Sequence, residues 1–430
     1  MDETLSVGGA RGDRVRKLPA LYIGLAGATP RVPGWRLSLA RRDALQIVRG
    51  DVRALDGETL KLADPRLSRS HARFVKDGDA WRVEDLGSKN GTAVNGRPAT
   101  TAVLRDGDTI LVGATMLVFR TVGGELAEIT TPQTTAPGFT TIAAELEHRF
   151  AELTTAASSD VPIEITGETG TGKELAARAI HTLSKRKGAF VAVNCGALPA
   201  NLLEAELFGH AKGAFTGAVS ARTGLIRSAD RGTLFLDEVA ELPPASQAAL
   251  LRVLQEREVL PLGEDAPIAV DVRLITATHQ DLDRAVTDGE FRDDLRARLM
   301  GLTLALPPLR SRKEDLGLLV SALLPRDVTF SAEAVAELYT RTWPRNIREL
   351  ERALAAAAAI AGDVIEPSHL PTGATAADPI LDPEDLVLRD QLRAAIARHE
   401  GNLAAVAREL GKDRTQIRRW MKRFGLDRAT

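Results

Sequence analysis

The sequence predicts a multidomain chain: an all-β sandwich, then an α/β unit with a parallel sheet and a helical lid, then an all-α end. Three observations carry this. Short β-type runs separated by Gly, Asp and Asn turns fill residues 18–122, among them LYIGL, LQIVRG, ARFVK, TILVG and MLVFR. Strand-like runs (PIEIT, AFVAV, GTLFLDE, DVRLITAT) alternate with helical patterns over 140–306, and a Leu/Ala-rich helical stretch follows over 307–370. Residues 384–430 are helical in pattern throughout. The Thr-, Pro- and Gly-rich segment 123–139 and the segment 371–383 read as linkers.

Composition narrows the functional classes. A length of 430 residues suits two to four domains. Lys and Arg total 56 against 58 Asp and Glu, which rules out a uniformly basic coat for nucleic acid but not a local basic patch. One cysteine, Cys195, excludes an intramolecular disulfide framework and Cys-rich zinc modules, and fits a reducing compartment. No apolar stretch approaches the ~18–20 residues of a membrane span, and no signal-peptide core opens the chain. The expectation is a soluble, cytoplasmic protein with no membrane partner.

The most specific signal is Gly167, Glu168, Thr169, Gly170, Thr171, Gly172 and Lys173, a GxxxxGK run between the apolar strand 163–166 and a helix starting at Glu174. Glycines let successive N–H groups converge on phosphate oxygens. The helix N-terminus adds its dipole, and Lys173 reaches the β- and γ-phosphates of ATP. Glu174 stands where many such loops place a Ser or Thr on magnesium, so Mg2+ must lean on a second acidic motif. That motif is GTLFLDE, whose strand ends at Asp237 and Glu238, 64 residues beyond Lys173. Asp237 is the candidate metal ligand. Glu238 is the candidate base that polarises water for in-line attack on the γ-phosphate.

With these motifs come FVAVNCGALPANLLEAELFGH, the hexapeptide GAFTGA, LPPASQAALLRVLQEREVLPLG, FRDDLRARL, LPPLRSRKEDL and WPRNIREL. Residues 140–369 thereby resemble the AAA+ ATPase domain of bacterial enhancer-binding proteins, the activators of sigma-54 RNA polymerase. The resemblance implies that Gly213, Ala214, Phe215, Thr216, Gly217 and Ala218 tip a loop that touches the sigma factor and moves with the nucleotide. The residues suit that task, with hinge-capable glycines around a large apolar tip. It further implies that Asn194 switches the orientation of the catalytic glutamate, and that His279 occupies the sensor position, where asparagine is commoner. Arg292 and Arg298 match residues that act on a neighbouring subunit's ATP, and Arg348 matches the lid arginine that senses nucleotide. Action across a boundary implies a closed ring, hexameric in the family, with a dimer at rest. Two departures are visible. Ala211 stands where the family often has an acidic residue, and Arg345 replaces a frequent glycine.

At the N-terminal side, LSRSHARF, DLGSKNGTAVNG and LRDGDTILVG resemble a forkhead-associated (FHA) domain, a sandwich whose loops bind phosphothreonine peptides. Ser68 and Arg69 are placed for the phosphate, Asn90 for the peptide backbone and Arg49 for the upstream phosphate contact. Val48 replaces the family's glycine, and the interval from Arg49 to Ser68 is long. His71 braces the loop and Gly91 serves the turn. The implied partner is a phosphothreonine protein or a Ser/Thr kinase.

The C-terminal GNLAAVARELGKDRTQIRRWMKRFGLD reads as helix, turn, helix. Arg414, Thr415, Gln416, Arg418, Arg419 and Lys422 share the second helix's outer face, and residues 408–428 carry net charge +5. That is a local signature of double-stranded DNA binding, and the segment resembles the Fis-type helix-turn-helix that closes this activator family. The whole reads as a sigma-54-dependent activator that spends ATP on remodelling the closed promoter complex, regulated through phosphothreonine. The alternative is a non-catalytic DNA- and phosphopeptide-binding regulator that uses ATP only to gate oligomerisation.

Overall fold

The computed structural model describes residues 17–214 and 218–373, and in the C-terminal segment 391–392, 395–396, 398–399, 403–410, 416–417 and 420. The first unit is a sandwich of a seven-stranded and a six-stranded sheet. Its core holds Leu21, Ile23, Leu37, Leu45, Ile47, Leu60, Phe74, Trp81, Leu117 and Phe119. Alternation along the strands explains this core only in part. In the strand Lys17–Ala26, Leu21 and Ile23 point inward, whereas Ala20, Tyr22 and Leu25 are equally buried on the opposite face. A register irregularity between Ile23 and Ala26 turns Leu25 to that outer face. In the neighbouring strand Thr115–Gly123, Met116 and Val118 lie on the same outer face.

The helical lid covers that face. Leu309, Leu316, Val320, Val335, Leu338, Tyr339, Trp343, Leu350 and Leu354 form one continuous core with Ala20, Tyr22, Leu25, Met116 and Val118. Contact is close enough that a Cβ on Gly24 would sit 2.3 Å from the Tyr339 hydroxyl, and one on Gly317 would sit 2.4 Å from the Gly24 carbonyl. Polar links rim the contact. Arg36 donates to the Ile142 carbonyl (3.2 Å) and pairs with Glu147 (3.1 Å), Arg120 pairs with Glu314 (3.4 Å), and Arg66 pairs with Glu333 (3.6 Å).

The ATPase-type sheet is five-stranded and wholly parallel, in the order Phe190–Asn194, Thr233–Asp237, Arg273–Thr278, Ile163–Thr166, Leu302–Ala305. Its strands are near-continuous apolar runs because helices cover both faces. Within 123–139, Ile129–Thr130 adds an edge strand to the sandwich through Leu37 and Arg36. Phe139, 1 % exposed, stacks on Phe150 in the ATPase core. The segment is therefore anchored at Ile129–Thr130 and, at its far end, by Ala136 and Phe139, while most of its other residues are exposed. Asp315 fastens the chain just beyond it, accepting from Thr141 Oγ1 (2.7 Å) and the Ile142 N–H (2.8 Å).

The lid comprises the helices Leu316–Leu323, Ala332–Thr340 and Asn346–Ile360. Ser331 caps the second by accepting from the Ala334 N–H. Farther on, Leu392, Ala395, Val406, Ala407 and Ile417 share a small core around the helix Leu403–Glu409. Among the described residues no helix is long and apolar enough to cross a membrane.

Candidate active site

Parallel strands deliver their C-terminal ends to one edge, which is where open α/β sheets bind ligands. Thr166 pairs in register with Thr278, and Asn194 with Asp237. The loop 167–172, Asn194, Asp237–Glu238 and His279 therefore converge. Gly167, Gly170 and Gly172 all have positive φ, and at Gly170 a Cβ would lie 2.2 Å from the Arg345 carbonyl. Only glycine fits there. Gly172 caps the helix Lys173–Ser184 with no side-chain partner, leaving a helix N-terminus for an anion.

Lys173 is buried and donates to the Gly167 carbonyl (3.0 Å) and Glu238 Oε1 (3.3 Å). His279 Nδ1 lies 2.6 Å from the other Glu238 oxygen. Glu238 itself adopts φ +53°, a left-handed conformation that costs a non-glycine residue about 1 kcal/mol or more and commonly marks a functional position. Burial works to raise its carboxyl, but the His279 hydrogen bond and Lys173 outweigh that and hold it below the usual range. At Asp237 the balance runs the other way. Burial, with Glu238's charge beside it, raises the carboxyl against the pull of Lys173. Two adjacent carboxyls displaced in opposite directions suit two different roles.

Glu174 turns outward to Arg178 (2.8 Å), away from the loop. Among the described residues no group of three or more His, Cys, Asp or Glu side chains converges as a metal site. A magnesium ion takes one or two carboxylates together with phosphate oxygens and water, so a lone carboxylate such as Asp237 beside Lys173 is a fitting donor for it. Cys195 is buried beneath these acids, its thiol pushed up to about 12 chiefly by burial, and is unreactive there.

Sequence reasoning did not assign the residues that brace the loop from the lid. Arg310 grips Glu168 through both nitrogens (2.8 and 2.5 Å) and holds its carboxyl below the usual range. Asn346, fully buried, donates to Glu168 (3.2 Å) and the Thr169 carbonyl (3.1 Å) while accepting from the Leu309 N–H (2.8 Å). Arg312 donates to the Thr171 carbonyl (2.9 Å). Their signal was present in LPPLRSRKEDL and WPRNIREL, but the bonds span 141 to 178 positions. Arg348 is exposed beside the loop, its Cβ 3.3 Å from where a Gly170 Cβ would be. Arg345, with φ −106°, occupies ordinary backbone space and needs no glycine. Arg292 and Arg298 are exposed, and Arg292 is bidentate on Asp294 (3.0 and 2.7 Å).

Asn194 is exposed, and its side-chain carbonyl accepts from the Gly196 N–H (3.0 Å). The hydrogen-bond partners of the Glu238 side chain are Lys173 and His279. Downstream of Asn194 the helix Ala200–Phe208 feeds a two-stranded ribbon, Gly209–His210 with Arg222–Thr223. The hexapeptide rides on it. The Gly213 N–H donates to the Ala218 carbonyl (2.9 Å), closing the base of the loop, and Ala214 lies against Gly263. Ala211 is tied by its N–H to the Leu262 carbonyl (2.9 Å). Val219, 82 % exposed, presents apolar surface outward. Phe215, Thr216 and Gly217 lie outside the described residues.

On the sandwich, Arg49, Arg66, Ser68, Arg69, Lys89 and Asn90 border one open cavity of about 650 Å3. The long interval after Arg49 is taken up by the hairpin Ala54–Asp56/Thr59–Leu62, and the Arg49 N–H still donates to the Ser68 carbonyl (3.1 Å). His71 braces the loop. Its Nδ1 accepts from the Ser68 N–H (3.1 Å), so Nε2 carries the proton toward the Gly91 carbonyl (3.1 Å). Asn90 donates to the Arg66 carbonyl (2.6 Å). Four cations around an open hollow suit a dianion. Of the outer face of the last helix, Gln416 is described; Arg414, Thr415, Arg418, Arg419 and Lys422 lie outside the described residues.

Comparison with known proteins agrees with this geometry. Four family models match: the sigma-54 interaction domain over 140–305, the FHA domain over 53–113, the AAA+ ATPase lid domain over 310–385, and the bacterial regulatory protein, Fis family, over 389–424. The transcriptional regulatory protein GlrR of Escherichia coli (strain K12) is 44% identical over 285 residues, covering 63% of this chain and 64% of that protein. DctD of Rhizobium meliloti, a C4-dicarboxylate transport transcriptional regulatory protein, is 41% identical over 283 residues, covering 64% and 61%. The chain thus spans less than two thirds of the length of these curated relatives. The solved structure of NtrX from Brucella abortus superposes with a TM-score of 0.50 at 31% identity, covering 66% of this chain and 68% of that one. The chain belongs to the family of bacterial transcriptional regulators built on a sigma-54 interaction domain, with an FHA domain before it and a Fis-family helix-turn-helix domain after it.

Proposed function

We propose that this protein is a sigma-54-dependent transcription activator that hydrolyses ATP and answers to a phosphothreonine ligand on its sandwich. The observation that carries the reading is the convergence of Lys173, Asp237 and Glu238 at the edge of a parallel sheet whose adjoining helix leads into the clamped GAFTGA loop. In the proposed reaction the N–H groups of 168–173 cradle the phosphates, and Lys173 neutralises the β- and γ-oxygens. Glu238 polarises the attacking water. Asp237 would hold a magnesium ion, which would neutralise charge on the transferring group. Arg292 and Arg298, exposed as a boundary-crossing role requires, reach a neighbour's γ-phosphate in a ring, hexameric as in the family and dimeric at rest.

Strain at the nucleotide passes down a short path. The Cys195 N–H is tied to the Asp237 carbonyl (2.9 Å), and the helix from Ala200 begins five residues later. That helix displaces the ribbon and its tip against sigma-54 RNA polymerase. The helix-turn-helix holds the protein on upstream double-stranded DNA, which places its work in the cytoplasm. The cavity edged by Arg49, Ser68, Arg69 and Asn90 receives the phosphothreonine of a partner protein or a Ser/Thr kinase.

Two variants test the reading in a purified transcription assay. Glu238→Gln is expected to bind ATP normally and lose turnover by about 100-fold or more. Phe215→Ala is expected to keep its ATPase rate and lose open-complex formation. Normal transcription by Phe215→Ala rejects the loop assignment. Normal nucleotide binding with no phosphate release by the wild-type protein favours the gated-oligomer alternative.

A further inference from the structure

The sandwich carries a second hollow, of about 160 Å3, that shares no lining residue with the cavity edged by Arg49, Ser68 and Arg69. Its walls are Ala26, Leu62 and Ala63, and its rim carries Val32 and Val52, 47 % and 67 % exposed. The loops that form it are held in place. The Gly27 N–H donates to the Ala114 carbonyl (2.8 Å) and the Gly50 N–H to the Leu62 carbonyl (2.9 Å). One charged residue lines this oily hollow, Arg53. It is partly buried, and its hydrogen bond among the described residues goes to a neutral acceptor, the Pro33 carbonyl (2.8 Å from Nη1). Burial alone draws the guanidinium below its usual value, whereas at Arg312 the carboxylates of Asp315 and Glu314 oppose the same effect. A guanidinium stays charged, and a charge withdrawn from water needs an anionic partner. The Thr115 hydroxyl is committed to Asp64 (2.8 Å), which leaves Arg53 and the Thr29 hydroxyl to meet the polar end of a ligand.

We propose that this hollow binds a monocarboxylate on a short branched or cyclic apolar chain, with the carboxylate on Arg53 and the chain between Ala26, Leu62 and Ala63. Apolar cavities of about 150 Å3 accept a benzene-sized guest, which sets the chain at about six carbons or fewer. One cation in an oily lining suits a single negative charge, whereas a dianion belongs with the four cations of the other cavity. The carboxylate comes from a free acid or from the C-terminal residue of a peptide, the recognised chemistry being the same. Neither ATP hydrolysis nor phosphothreonine binding is assumed. The site lies on the seam with the lid. The loop that supplies Thr29 and Val32 also donates from Arg31 to the Leu324 carbonyl (3.1 Å) and accepts at the Gly27 carbonyl from the Phe330 N–H (2.9 Å).

Saturation-transfer NMR titrations of the full chain compare isovalerate with isovaleramide, its neutral isostere, and with leucine-terminated peptides whose C-terminus is free or amidated. Wild type is expected to bind isovalerate with a Kd of roughly 1 mM or below, and the amide about tenfold more weakly or worse. Arg53→Gln is expected to lose about tenfold or more in isovalerate affinity, the scale of a hydrogen bond to a charged group. Ala63→Leu fills the hollow, leaves Arg53 in place, and is expected to abolish binding. Tighter binding of the free-acid peptide than of isovalerate assigns the ligand to a protein C-terminus, and the reverse assigns it to a free acid; both uphold carboxylate recognition. Equal binding of acid and amide, undiminished binding by Arg53→Gln or Ala63→Leu, or no binding of any acid overturns the inference.

Discussion

Glu314 sits where the sandwich meets the lid, its side chain 4 % exposed and 3.4 Å from Arg120. Burial raises its carboxyl from 4.5 to about 7, with Arg120 opposing and Asp315 adding to the rise. A group raised on folding contributes stability that is complete below its unfolded value and lost as pH climbs through the folded one. Stability should therefore decline from pH 4.5 to pH 7, by at most about 3 kcal/mol from this residue. Glu314→Gln is expected to flatten that decline and to melt higher than wild type at pH 8, as measured by thermal unfolding across the pH series. At the same scale, the loop 167–173, Asp237, Glu238 and the Ser68–Arg69 pair stand out as candidates in the sequence because their chemistry demands particular residues at fixed local spacing. Arg310, Arg312 and Asn346 do not. A charged residue in a helical pattern gives no sign that its partner lies 142 positions upstream, as Glu168 does for Arg310. Arg49 shows the converse: the hairpin Ala54–Leu62 takes up its long interval to Ser68, and both residues border one cavity.

Strands and helices repeat the lesson with apolar faces. The strand Lys17–Ala26 was expected from the run LYIGL, and so it forms, but a half-buried strand alternates polar and apolar residues and this one does not. The unbroken run was a sign of a second covering layer. The element is clasped between the sandwich core and the lid, and Gly24 marks the tightest approach. Gly24→Ala is expected to destabilise the protein by about 1–3 kcal/mol in urea unfolding, through collision with the Tyr339 hydroxyl and the Met116 carbonyl. Secondary structure could be read from local periodicity, whereas the lid's seat on this strand pairs residues some 300 positions apart, as Gly24 and Gly317 show.

Across the whole molecule, the cavity edged by Arg49, Ser68 and Arg69 and the loop 167–172 are joined by packed structure. Arg66 borders that cavity and pairs with Glu333 of the helix Ala332–Thr340. Beyond that helix Trp343 donates to the Leu338 carbonyl (3.0 Å), and Asn346 holds Glu168 and Thr169. Binding at either end is expected to alter affinity at the other by the same factor, about fivefold for a coupling of roughly 1 kcal/mol. ATP titrations with a saturating phosphothreonine peptide, against its unphosphorylated counterpart, measure this. Identical affinities would mean that the two sites are independent. Glu333→Gln, which removes the exposed pair, should shrink the effect.

The seam between sandwich and lid also bears on how such regulators diversify. A domain exchanged for this sandwich must arrive with its own oily saddle, moulded around Tyr339 and Trp343, or leave the lid's flank wet. Grafting an unrelated domain at this boundary would leave that apolar flank of the lid exposed, and such a chimaera is expected to aggregate.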